Sequence, residues 1–333
     1  KGARFIRLDA VAFLWKEIGT PCLHLPKTHR IIQLLRAVLD EVAPAVRLIT
    51  ETNVPHRDNL SYFGDGTNEA HLVYNFALPP LVLHAMLTGC AERLTRWARS
   101  IVLPSDRVTF FNFLASHDGI GLNPARGILD DGEIAALVLR AQEQGGLISY
   151  KHLPDGSQVP YELNINYLDA LSNPAVAEPP ELVARRFLTA QAILLCLQGM
   201  PGIYFHSLFG SRGDRTAVES SGIKRRINRE KLARATLHTE LQDTASLRGR
   251  VFGGFRALLQ FRQMHPAFAP ASAQRVLALD PRVFAILRET AGGRDRILCL
   301  HNVGGETVRV HTSGAVPLDR AIPPWGHCWL PLT

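Results

Sequence analysis

Three acidic residues, Asp9, Glu51 and Asp118, each stand just past an apolar-rich run that reads as a β-strand. They are 42 and 67 positions apart, so no local structure brings them together. Parallel strands of one sheet would, because their carboxyl ends share one edge. Carboxylates that converge in this way can cleave a glycosidic bond: one attacks the anomeric carbon while a second, protonated, assists the departing oxygen. A retaining pathway sets those two about 5–5.5 Å apart. Arg7 lies two positions before Asp9 and shares its face of the strand, close enough to hold that carboxylate ionised as a nucleophile requires.

The elements that must position these acids follow a β-then-α rhythm. The strand Arg4–Asp9 leads to a predicted amphipathic helix over 28–42, whose apolar stripe is Ile31, Leu34, Leu35, Val38, Leu39 and Val42. Pro44 stops it, and Val46–Thr50 reads as a second buried strand. A strand over 71–76, helices over 81–87 and 91–101, and a strand over 107–114 come next, with His117 and Asp118 just beyond. A long polar region, about 123–172, precedes an apolar helix over 182–197, a fifth strand at Gly202–His206 and a last helix over 247–264. The period then changes to two: short strands are expected at 283–288, 297–302, 307–311 and 327–330, between turns such as Gly292-Gly293. The fold class expected is α/β: residues 1–269 as part of a (β/α)8 TIM barrel, and 270–333 as a small, β-sandwich-like, all-β domain.

Composition excludes several other classes. The longest apolar stretch, Phe187–Leu197, is interrupted by Gln191 and falls short of the roughly 20 residues that span a bilayer. A net charge of +7 comes from basic residues scattered without a dense run or interleaved aromatics, so no nucleic-acid partner is expected. Five cysteines without CxxC spacing argue against structural zinc and a disulfide framework and for a reducing cytoplasm. No loop of alternating carboxylates suggests a hard cation, so no metal is expected. Residue 1 is Lys and no secretory pattern opens the chain, which reads as a fragment of a longer protein.

The segment from Arg4 to Val11, the strand ending in Thr50-Glu51, and Ser116-His117-Asp118-Gly119-Ile120-Gly121 together resemble three successive signatures of the α-amylase family, glycoside hydrolase family 13. Within it, Trp15–Thr20, Tyr74–Leu81 and Arg226-Ile227-Asn228-Arg229 are similar to the sucrose phosphorylase subfamily. Tyr204–Arg212 and Ser221–Arg229 look closer to its glucosylglycerate phosphorylases.

The resemblance implies Asp9 as nucleophile, Glu51 as general acid/base and Asp118 as transition-state stabiliser gripping sugar hydroxyls. Arg7, His117, Tyr161, Glu162 and Arg229 make up the implied substrate-binding set, with His117 and Arg229 on the donor glucose. Tyr161 would sit on a mobile loop that presents phosphate or acceptor. The implied reaction is retaining phosphorolysis of an α-glucoside to α-glucose 1-phosphate, with inorganic phosphate as co-substrate and no cofactor. Hydrolysis or transglucosylation by the same residues is the alternative. An anionic acceptor such as glycerate would suit Arg212, Lys224 and Arg225. The partners expected are thus a small sugar and phosphate, with a homodimer the one assembly entertained.

Only five barrel strands can be counted, corresponding to strands four to eight of the family barrel. Residues 1–333 alone would leave open sheet edges, so this stretch by itself is expected to be poorly folded or inactive.

Overall fold

The computed structural model describes residues 2–153, 155–312 and 318–332; positions 313–317 of the expected β region lie outside the described residues. Its first unit is β1 (Phe5–Leu8), helix Pro26–Val42 and β2 (Arg47–Thr50). The two strands pair in parallel, with Leu8 opposite Thr50. The helix forms where periodicity predicts, with Pro26 at its first turn. Its packed face, however, is not the predicted stripe. Thr28, Ile32 and Arg36 are buried, whereas Leu34 is 62% and Val42 71% exposed. The helix is oriented instead by Arg36, whose Nη1 donates to the Glu69 carbonyl at 2.9 Å.

β3 (Leu72–Tyr74) and β4 (Thr109–Asn112) extend the sheet in parallel, separated by helices Leu78–Thr88 and Glu92–Ser100. The first of these helices is apolar all round and lies in the core, as its composition demands.

The region expected to be a long polar stretch is folded. β5 (Ile120–Gly121), β6 (Leu147–His152) and β7 (Gln158–Asn164) make an antiparallel sheet in the order β5-β7-β6, beside helix Asp131–Glu143. That helix opens with a capping box between Asp130 and Glu133 and buries Ile134, Leu137 and Ala141. Tyr161 therefore sits on a paired strand rather than a mobile loop. Period-two alternation is weak here because one buried row, Glu162 and Asn164, is polar and finds its partners across the structure.

The fifth parallel strand is β8 (Met200–Pro201), two residues earlier than expected. A Cβ at Gly202 would lie 2.3 Å from the Phe111 ring, so the chain needs glycine to pass β4 there. It then leaves the sheet, and His206 falls in a short helix, Phe205–Leu208. The parallel order is β1-β2-β3-β4-β8, open at β1 and β8 among the described residues.

Helices Pro180–Cys196 and Leu247–Met264 match their expected positions and pack together, Phe187 edge-on to Phe255. β9 (Ala273–Asp280), β10 (Val283–Glu289), β11 (Arg296–Asn302), β12 (Val308–Thr312), β13 (Leu318–Ile322) and β14 (His327–Pro331) complete the chain. They form a four-stranded antiparallel sheet, β14-β11-β10-β9, and a two-stranded one, β12-β13. β9 and β13 were not anticipated: β9 has no fully buried residue and β13 only one, so neither shows a clean alternation. One apolar core runs from the helices into the four-stranded sheet through Phe284, Ile286, Cys299 and Trp329. No helix among the described residues is long and apolar enough to cross a membrane.

The junction between helices and sheet is held by a buried and a half-buried arginine, both facing carbonyls. Arg288 of β10 is fully buried, and it donates to the carbonyls of Cys196 (2.9 Å), Ala269 (2.9 Å), Ala273 and Ser272 (both 3.2 Å). Arg262 donates to Leu195 and, at 2.8 Å, to Phe268. Both cations thus cap the carbonyl-rich end of helix Pro180–Cys196, where the helix dipole favours positive charge. Burial pulls the Arg288 guanidinium down to about 10. Arg288→Ala strands four acceptors and opens a cavity, so it is expected to lower unfolding free energy by about 3 kcal/mol or more in urea denaturation, while Arg309→Ala on the exposed face of β12 leaves the denaturation midpoint essentially unchanged.

Candidate active site

The parallel register sets the first two acids side by side. Glu51 N–H donates to the Leu8 carbonyl and Val11 N–H to the Glu51 carbonyl, each at 3.0 Å, which carries the β1–β2 pairing past the strand ends. Directly after Asp9 the backbone turns through Ala10, which is left-handed (φ 48°, ψ 39°) although it is not glycine. That turn aims the Ala10 N–H at Glu51 Oε2, 2.9 Å away.

Arg7 lies between the two acids. Its Nη1 is 2.7 Å from Asp9 Oδ1 and its Nη2 is 3.7 Å from Glu51 Oε2. The guanidinium lies over the Tyr74 ring at the end of β3, 5.4 Å from its centroid. The two carboxyls differ in environment: the Asp9 side chain is 71% exposed and that of Glu51 13%. Burial pushes the Glu51 carboxyl above its ordinary value, with the Ala10 N–H and Arg7 opposing, and with Asp9 and Asp118 adding to the rise. All three acids therefore share one electrostatic field.

Asp118 follows β4. Its Oδ1 receives Arg225 Nη1 and Arg229 Nη2, both at 3.1 Å, while His117 Nε2 stands 3.6 Å from Oδ2. The backbone there is pinned as well: Arg229 Nε donates to the His117 carbonyl and Asn228 Nδ2 to the Asp118 carbonyl, each at 2.9 Å. Asn228 is in turn held by the Tyr204 hydroxyl.

Tyr161 reaches the same place from β7. Its side chain faces Asn53, and burial, with Glu162 and Glu51 adding, pushes the phenol up. Gly121 allows this approach, since a Cβ there would lie 2.6 Å from the Asn53 amide. Glu162 points away into a bidentate pair with Arg225 (3.0 and 2.7 Å).

The structure thus brings Asp9, Glu51, Asp118, Arg7, His117, Tyr161 and Arg229 to the carboxyl edge of the parallel sheet. The basic residues suggested for an anionic acceptor part company: Arg212 pairs with Asp169 at 2.7 Å, Lys224 donates to the Ile148 carbonyl at 2.7 Å, and only Arg225 faces Asp118. Tyr74, Asn53 and the Ala10 backbone are contributors that sequence reasoning missed. Tyr74 closes a strand like the three acids and could have been found by the same argument, whereas nothing in the residue type of Ala10 announces a left-handed turn. Such a set can hold an ionised carboxylate beside a protonated one and grip hydroxyls with a third.

No protein-family model matches the chain. It is 54% identical over 302 residues to a glucosylglycerate phosphorylase of Allomeiothermus silvanus, covering 91% of this chain and 54% of that protein. It is 27% identical over 277 residues to a sucrose phosphorylase of Agrobacterium vitis, covering 79% and 50%. The crystal structure of sucrose 6F-phosphate phosphorylase from Thermoanaerobacter thermosaccharolyticum superposes with a TM-score of 0.77 at 19% identity, over 97% of this chain and 61% of that one, and so shares the fold. The chain spans about half the length of the curated relatives it matches. Over that span it is a close homologue of glucosylglycerate phosphorylases and a more distant one of sucrose phosphorylases.

Proposed function

We propose that this chain is the catalytic part of a retaining glycoside phosphorylase that cleaves an α-glucoside, with glucosylglycerate favoured over sucrose, to α-glucose 1-phosphate. The observation that carries the reading is the Arg7 clamp between an exposed Asp9 and a buried Glu51, in a chain 54% identical to a glucosylglycerate phosphorylase. In this reading the five parallel strands are strands four to eight of a (β/α)8 barrel over 1–269, and 270–333 is a small β-sandwich-like domain.

Asp9 attacks the anomeric carbon, and Glu51 delivers its proton to the departing glycosidic oxygen, leaving a β-glucosyl ester on Asp9. The rise in the Glu51 carboxyl suits it to carry that proton. Glu51 then takes a proton from inorganic phosphate, whose oxygen attacks the same carbon from the opposite face and restores the α configuration. Asp118 accepts hydrogen bonds from sugar hydroxyls through Oδ2, and His117 and Arg229 flank the sugar. Tyr161, with Asn53, lies where phosphate or acceptor would enter. Phosphate is the only co-substrate required, with no cofactor or metal, and the five free thiols accord with a cytoplasmic setting.

The test uses the full-length protein that carries this segment, incubated with glucosylglycerate or sucrose, with and without phosphate. Phosphate-dependent glucose 1-phosphate is expected, faster from glucosylglycerate; free glucose regardless of phosphate would identify a hydrolase instead. Asp9→Asn is expected to lower turnover by about 10³-fold or more.

A second expectation concerns pH. The carboxyl of Glu51 is raised in the folded state, so folding favours its protonated form, and that contribution is lost as pH rises through the raised value. Glu51→Gln should therefore match wild type in denaturant stability below pH 4.5 and become the more stable of the two as pH rises from there towards neutrality. An unchanged gap across that range would mean that Glu51 is not destabilised by ionising.

A further inference from the structure

Strand β7 is joined to the acid at the end of β4 by a chain of charges that the chemistry above does not use. Glu162 is 2% exposed, and both of its oxygens are occupied, Oε1 by Arg225 Nε at 3.0 Å and Oε2 by Arg225 Nη2 at 2.7 Å. The remaining terminal nitrogen of the same guanidinium, Nη1, lies 3.1 Å from Asp118 Oδ1. Arg229 Nη2 approaches that same oxygen, also at 3.1 Å. Oδ1 is thus held from two sides, while Oδ2 has, among the described residues, only His117 Nε2 at 3.6 Å.

A carboxylate gripped in this way cannot rotate about its Cβ–Cγ bond without breaking the charge-assisted bond from Arg229 and the close ion pair with Arg225. The backbone is fixed at the same point. Ile120 pairs with Leu163 and Gly121 with Glu162. A Cβ at Gly119 would lie 2.4 Å from the Leu163 carbonyl oxygen and 2.6 Å from Glu162 Cγ, so the chain just past Asp118 rests directly on β7.

We infer that Glu162 is a positioning residue: it locks the Arg225 fork, and Arg225 in turn orients Asp118 so that Oδ2 faces the sugar. The inference rests on the reading of Asp118 as the group that grips sugar hydroxyls. It replaces the expectation that Glu162 itself meets substrate, for which it has neither a free oxygen nor exposure. Only a planar guanidinium can bond one carboxylate along one edge and a second from its other nitrogen, so lysine cannot substitute. Glu162→Gln exchanges one acceptor oxygen for a donor and removes the charge that balances the second arginine.

In the full-length protein, Glu162→Gln and Arg225→Lys are each expected to lower kcat for glucosylglycerate by about 10²-fold with KM within about twofold, as a misplaced transition-state contact does. Because both act through one link, the double variant should be no slower than the slower single one. A raised KM with kcat retained, or losses that multiply, would overturn the inference. The cycle is read on whichever product forms, so glucose in place of glucose 1-phosphate counts against phosphorolysis alone. A crystal structure of Glu162→Gln decides independently of turnover. Arg225 displaced from Asp118 supports the inference, and an unchanged contact refutes it; Arg225→Lys, altered at a half-exposed side chain, serves if the buried substitution prevents folding.

Discussion

The parallel pairing of β1 with β2, Leu8 opposite Thr50, is the constraint on which the site depends. It places residues 9 and 51 at one edge, where Arg7 serves both carboxyls. Two negative groups so close would otherwise repel each other. Arg7 offsets that repulsion unequally, at 2.7 Å from Asp9 and 3.7 Å from Glu51, and is itself braced by Tyr74 from the neighbouring strand. The left-handed Ala10 completes the arrangement by sending the backbone across to Glu51 as soon as Asp9 has been presented. A non-glycine residue in this conformation costs energy, and it stands where the chain must expose one acid and bond the other.

Difference of environment, not of residue type, sets the three acids apart. Asp9 is exposed and faces a guanidinium, whereas Glu51 is buried with one backbone donor. Asp118 is held through one oxygen by two arginines that arrive from a segment more than a hundred residues later. One sheet edge thereby offers an exposed carboxylate, a carboxyl that favours its proton and an oriented acceptor. The antiparallel insertion contributes to all of this, since β7 carries Tyr161 toward Asn53 and Glu162 toward Arg225 on alternating faces.

The rest of the chain supports this edge from behind. Helices Pro180–Cys196 and Leu247–Met264 close the core, and the four-stranded sheet is fastened to them by Arg288 and Arg262. Neither arginine is paired with a carboxylate; both use carbonyls at a helix end, so burial is offset by directional hydrogen bonds and the helix dipole. The exposed aliphatic stripe of helix Pro26–Val42 and the open β1 edge, by contrast, leave apolar surface uncovered among the described residues.

Much of this was legible in order. Asp9, Glu51 and Asp118 each follow an apolar run, and parallel strands must bring such positions together, so the acids, the five-strand count and the two long helices were readable from periodicity. What the chain's own pattern could not reveal depends on partners distant in sequence. The polar residues of 123–172 look like loop until Glu162 meets Arg225 and Asn164 meets Ser149. The stripe on the first helix looks like its packed face until Arg36 finds the Glu69 carbonyl. The fifth strand pairs two residues earlier than periodicity suggests, just before Gly202 passes the Phe111 ring. The sequence by itself determined which residue types could do chemistry and which strands carry them, because side-chain periodicity is local. Only the tertiary structure decided which acid is buried, which arginine serves which carboxylate and which face of each element is covered, because burial and charge pairing are set by neighbours that sequence distance conceals.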